Sequence, residues 1–256
     1  MTEPNGSIEG IHNFRVLAPY RLAHGGRIRP GMVFRSGALE RMTRADQAHL
    51  SETLGIRNIL DLRHPDELAF VATEHDLQPL VVGLSVFPEG SVQEDMIGEL
   101  NMLYGTGPTP GRYLHYLEVG GPQWARAFQL LAEASFYPAL VHCTAGKDRT
   151  GVLIGLLMDL LGASDADIAD EYGLSTASYE GLLAYLHAIG RKPEGTPEEL
   201  KARYGTPPRQ MAGFIELLRE RHGSAEEYLK GRGVSDGDLA SIRILLVEPG
   251  AGSQQS

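Results

Sequence analysis

Four short apolar runs, each bounded by turn residues, alternate along the chain with stretches in which apolar positions recur at helical spacing. Residues 32–36 (MVFRS), 57–62 (RNILDL), 79–84 (PLVVGL) and 138–143 (PALVHC) are β-branched or aliphatic and too short for stable helices, so they predict strands. Between them, Thr43 is placed to cap a helix ending near Gly55, and Trp124, Phe128 and Leu131 share one face of residues 123–134. Strands alternating with helices predict an α/β fold with a central, mostly parallel sheet flanked by helices.

Residues 149–161 (RTGVLIGLLMDLL) are apolar almost all the way round, the pattern of a helix buried in the middle of a domain. Beyond Ser164 the chain reads as mainly helical. Ser164 with Asp167, Ser224 with Glu227 and Ser235 with Asp238 each have capping-box spacing. Met211, Phe214, Ile215 and Leu218 form an apolar stripe read as core. Two segments, 89–111 and 190–196, are rich in breakers and are expected as irregular loops near a functional mouth. Residues 1–248 are expected to form a single domain, with 249–256 as a disordered tail.

Composition narrows the function classes. A formal charge of −10 argues against binding a nucleic-acid backbone, although a few basic residues in a pocket can still dominate locally. A single cysteine permits neither an internal disulfide nor a multi-cysteine zinc site, which suits a reducing cytosol. The histidines lack metal-site spacing, and no stretch reaches the ~20 apolar residues that span a bilayer. With no signal-peptide pattern at the start, a cytoplasmic location is expected, and export by a signal-independent route is compatible with it. The sequence leaves the oligomeric state open.

The lone cysteine lies in HCTAGKDRTG, residues 142–151, between a predicted strand and the buried helix. A loop in that position converges its amides at a helix N-terminus, where a phosphate dianion binds. Gly146 lets the backbone curl. Amides, the helix terminus, Lys147 and Arg149 all favour thiolate over thiol at Cys143, making a nucleophile. Arg149 offers a planar fork that matches two phosphoryl oxygens, which a lysine would not. The phosphate cradle is therefore expected from Thr144, Ala145, Gly146, Lys147, Asp148 and Arg149. Asp148 is a candidate general acid and Thr150 a hydrogen-bond donor to sulfur.

HCTAGKDRTG contains the HCxxGxxR[ST] signature, and the chain resembles the cysteine-dependent protein tyrosine phosphatases. The stretches HNFRV, FRSGAL, ILDLRHPDEL and EEYLKGRGVSDGDLASIRILL are similar to the bacterial branch typified by mycobacterial protein tyrosine phosphatase B. The resemblance implies hydrolysis of phosphate monoesters through a phosphocysteine, with Cys143 as nucleophile, Arg149 as clamp and Thr150 assisting thiolate departure. It implies phosphotyrosine, phosphoserine or phosphothreonine proteins or phosphoinositides as substrates and a helical lid within 164–209; no cofactor, no metal and no stable membrane insertion are expected. The branch's FPD stretch is here Phe87-Pro88-Glu89, so Glu89 is the alternative acid; Asp148 is favoured because its place in the loop is fixed relative to the phosphate.

Other charged residues admit plainer readings. His142 is expected to orient the loop through hydrogen bonds. Asp61, Arg63 and Glu67 read as a salt-bridged structural knot sooner than as substrate contacts, and Arg15 and Arg35 likewise. Lys147 either meets a second substrate charge or points to solvent. A rhodanese-type sulfurtransferase also uses a lone loop cysteine, but typically with four residues before the arginine, whereas Cys143 and Arg149 enclose five. A phosphate-binding module without turnover is the non-enzymatic alternative.

Overall fold

The computed structural model describes residues 8–69, 71 and 75–250. Its strands are β1 (Arg15–Val16), β2 (Arg27–Ile28), β3 (Val33–Ser36), β4 (Asn58–Asp61), β5 (Val81–Gly83), β6 (Ala139–His142) and β7 (Val247–Glu248). The four apolar runs become β3, β4, β5 and β6, which lie side by side in parallel, with β1 antiparallel at the edge of β3. In β6 every residue is buried, as expected of a strand covered on both faces. The small antiparallel β2–β7 ladder, which the sequence pattern did not suggest, gathers residues 247–248 onto the domain; residues 251–256 of the expected tail lie outside the described residues.

Behind β6 runs the helix Asp148–Leu161, with Val152, Leu153, Leu156, Leu157 and Met158 fully buried. Trp124, Phe128 and Leu131 pack into the same core from the helix Gly121–Leu131, and Met211, Phe214, Ile215 and Leu218 do so from Pro208–His222. All three serine caps form: Ser164, Ser224 and Ser235 accept the amides of Asp167, Glu227 and Asp238. Thr43 makes a full capping box with Asp46, after which the helix widens to a π turn over His49–Thr53. No described helix is long and apolar enough to cross a membrane.

One expectation is corrected. Residues 89–111 are not an irregular loop, because the helix Gln93–Tyr104 occupies most of them and Pro110–Val119 begins within them. Met96, Ile97, Leu100 and Tyr104 lie at helical spacing and face the core, while Glu94 and Asp95 sit in the first turn, where the dipole favours acids. The breakers of GTGPTPG only separate the two helices: Gly105 ends the first at φ +76°, and Thr109 and Pro110 start the second.

Candidate active site

Parallel strands aim their C-terminal ends at one edge of the sheet, where ligands of open α/β sheets bind. There β6 ends at His142, and the loop from Cys143 to Lys147 leads into the helix beginning at Asp148. Gly146 takes φ +63°, and a Cβ on it would lie 2.1 Å from the Ser36 carbonyl oxygen, so only glycine fits. The loop floors a cavity of about 540 Å³. Cys143, Thr144, Ala145, Lys147, Asp148 and Arg149 all line it.

The loop's carbonyls are turned outward and held there. His12 donates to the Thr144 carbonyl at 3.0 Å, Asn13 to those of Ala145 and Gly146 at 3.1 and 2.8 Å, and Arg35 to that of Gly146 at 2.7 Å. Burial lowers His12 to about 4, so its ring is neutral near pH 7 and donates as the Nε2–H tautomer. The His12 ring fits only because residue 37 is glycine, where a Cβ would come within 2.0 Å of Nε2. With the carbonyls so tied, the amides from Thr144 to Arg149 donate to no acceptor among the described residues. An inward ring of free amides is an anion site.

Cys143 is almost completely buried at its base, and the Thr150 hydroxyl donates to its Sγ at 3.2 Å. Arg149 approaches from the side, held by Glu67: its Nη1 and Nη2 donate to the two carboxylate oxygens at 2.5 and 2.8 Å, and Nη1 also reaches the Leu62 carbonyl at 3.3 Å. Of the five N–H groups of a guanidinium, this leaves Nε–H and the second Nη2–H, a parallel pair along one edge. Burial pushes the Glu67 carboxyl up, but Arg149 and hydrogen bonds from Thr144 and the His64 amide outweigh it and bring it down to about 2. Glu67 is thus a permanent anion whose oxygens are saturated by donors. It braces the arginine and leaves the Nε–Nη2 edge without a partner among the described residues.

The charged residues of DLRHPDEL therefore separate. Asp61 and Arg63 form the structural knot, with Arg63 also paired to Glu40 and His142 Nε2 lying 3.5 Å from Asp61. Glu67 belongs to the site. Arg15 and Arg35 share the buried Glu171 beneath the loop, so they too support the cradle. Lys147 does not point to solvent: its Nζ donates to the Arg203 carbonyl at 3.1 Å and lies 3.5 Å from Asp148. Asp148 faces the cavity, with one oxygen accepting from the Tyr113 hydroxyl. Glu89 is exposed and does not line the cavity. His12 and Asn13 lie in HNFRV, a stretch marked only by resemblance, and Tyr113 carries no pattern; the sequence assigns none of the three to the loop.

The mouth is built by the helices Gln93–Tyr104, Tyr179–Ala188 and Pro197–Tyr204 and the segment 189–196. The expected lid region thus divides, since the helix Asp165–Gly173 packs against the core through Ile168 and Tyr172 while 179–204 faces the cavity. Six basic residues line the cavity against two acids.

A cysteine, a braced guanidinium and a ring of free amides at the end of a parallel strand define a cysteine-centred anion site. The chain belongs to the tyrosine phosphatase family, whose sequence model matches residues 6–248. It is 28% identical to the triple specificity protein phosphatase PtpB of Mycobacterium tuberculosis, over 94% of this chain and 98% of that one. It is 32% identical to a putative tyrosine-protein phosphatase of Cupriavidus necator, over 93% and 86% of the two chains. A tyrosine-protein phosphatase of Nostoc commune is 29% identical, over 84% and 74%. The protein is a phosphoric monoester hydrolase acting on phosphorylated substrates.

Proposed function

We propose that hydrolysis proceeds through a phosphocysteine. The Cys143 thiolate attacks phosphorus in line with the ester bond; the new S–P bond forms as the P–O bond breaks, and Asp148 gives its proton to the departing oxygen. The free edge of Arg149 and the loop amides bind the equatorial oxygens as charge gathers on them. Water then attacks the phosphocysteine, its proton passes to the Asp148 carboxylate, and the thiolate leaves with the Thr150 hydroxyl donating to sulfur. Inorganic phosphate is released and both groups return to their starting protonation. The observation that carries this reading is the alignment of Cys143 Sγ, Thr150 and the unbonded amides at the cavity floor.

The substrates are phosphotyrosine, phosphoserine and phosphothreonine proteins and, favoured by one further observation, phosphoinositides. Arg112, Lys147, Arg191, Lys192 and Arg203 add positive charge around the cavity beyond what a single phosphate requires. The relative from M. tuberculosis is named for triple specificity, which supports a broad range. Phosphate release from a panel of phosphotyrosine and phosphoserine peptides and a phosphoinositide, compared by kcat/KM, tests the proposal. Release from each, lost in Cys143→Ser, is the expected result. Binding of the same compounds with no release by the wild type would instead identify a phosphate-binding module.

A further inference from the structure

We propose that Tyr113, backed by Tyr172, is the positioning residue that orients Asp148 for proton transfer; this rests on the reading of Asp148 as general acid. Tyr113 is on the helix Pro110–Val119 and is fully buried. Its hydroxyl donates to Asp148 Oδ1 at 2.5 Å. That commits its one proton, so in its 2.5 Å contact with the Tyr172 hydroxyl it accepts. The chain of donation therefore runs from Tyr172 through Tyr113 to Asp148.

The Tyr113 hydroxyl is fixed in place by packing. Its ring stacks on Tyr116 with centroids 6.2 Å apart and meets Tyr172 and Phe214 edge-on at 5.9 and 6.0 Å. Tyr172 is let in by Gly151, where a Cβ would lie 2.9 Å from the Tyr172 ring. Burial, and then the neighbouring Asp148, push the Tyr113 hydroxyl well above the ordinary phenol range, so it remains a donor across the working pH. With Oδ1 held, the proton for transfer sits on Oδ2, the oxygen 3.5 Å from Lys147 Nζ. An aspartate free to rotate would present this oxygen to the leaving group only part of the time. Tyr172 also follows Glu171, whose carboxylate holds Arg35 and through it the Gly146 carbonyl. One helix, Asp165–Gly173, thereby braces both the cradle and the acid.

A phenylalanine at 113 keeps the ring packing and removes only the hydroxyl, so the substitution separates positioning from packing. The test compares kcat and KM on phenyl phosphate, whose leaving group needs a proton, with p-nitrophenyl phosphate, whose leaving group needs it far less. The ratio of the two kcat values comes from one preparation, so a partly unfolded sample does not alter it. Asp148→Asn should depress kcat on phenyl phosphate on the order of 10²-fold more than on p-nitrophenyl phosphate. Tyr113→Phe should show the same selectivity at about tenfold, with KM little changed, and Tyr172→Phe a smaller effect of the same sign. If Asp148→Asn is selective and Tyr113→Phe lowers both substrates equally or neither, the positioning role is refuted and the acid assignment stands. If Asp148→Asn shows no selectivity, both fall together.

Discussion

At the floor of the cavity Arg149 is ion-paired to the buried Glu67 carboxylate, and beneath the loop Arg35 is likewise paired to Glu171. At the mouth, Arg191 and Lys192 stand exposed, and neither has a carboxylate partner among the described residues. The floor is preorganised: the Arg149 guanidinium is already fixed by Glu67, so an anion bound there needs no reorganisation of it. The mouth has charge without fixed geometry. Screened and mobile side chains of that kind attract an anion and read its total charge, but they do not hold it in one pose. Floor and mouth should therefore fail differently when altered, the floor in stability and kcat, the mouth in KM and salt dependence.

The largest effect is expected at Glu67. Glu67→Gln leaves a buried guanidinium without its counter-charge, a loss of about 3–5 kcal/mol in stability by analogy with other broken buried pairs. Chemical denaturation at pH 7 measures it directly. The pH dependence gives a second signature. Because the folded-state carboxyl lies at about 2, below its usual 4.5, its contribution is complete above about pH 4.5 and is lost as pH falls toward 2. The Glu67→Gln variant should lose less stability than the wild type across that window. Equal acid sensitivity in the two proteins would show that the pair does not brace the floor.

Arg149→Lys should come next. It replaces a two-donor edge with a point charge and should reduce kcat by about 10²- to 10³-fold, the scale of a lost preorganised oxyanion donor. Steady-state kinetics on p-nitrophenyl phosphate checks it, and a near-normal kcat would contradict the clamp. The smallest effect belongs to the mouth. The double substitution Arg191→Ala with Lys192→Ala should raise KM for a phosphoinositide by about tenfold at low salt, with kcat little changed and the difference shrinking as ionic strength rises. A kcat loss equal on every substrate would place these residues in the floor's class.

The same contrast explains how much was legible in the sequence. Cys143, Arg149 and Thr150 all lie within eight consecutive residues, and the run between strand and buried helix brings them to one place. The four strands and three serine caps were legible because short apolar runs between turn residues and cap spacing are local. Glu67 was visible only as one of several charges in DLRHPDEL. Its partner is 82 residues away, and nothing local distinguishes it from Asp61, which turns instead to Arg63. His12, Asn13 and Tyr113 act on the loop through contacts that exist only once β1, β3 and the helix Pro110–Val119 are assembled beside it. The helix Gln93–Tyr104 was hidden by the breakers that follow it, since a weak amphipathic pattern loses to a dense cluster of glycine and proline.

The central claim is that sulfur carries the phosphoryl group between two half-reactions. It is tested most directly by mixing the enzyme with a radiolabelled aryl phosphate, quenching in denaturant within one turnover, and mapping the label by peptide. The account predicts label on the peptide containing Cys143, transient in the wild type and absent in Cys143→Ser. Phosphate release at the normal rate with no label ever attached to that peptide would contradict it.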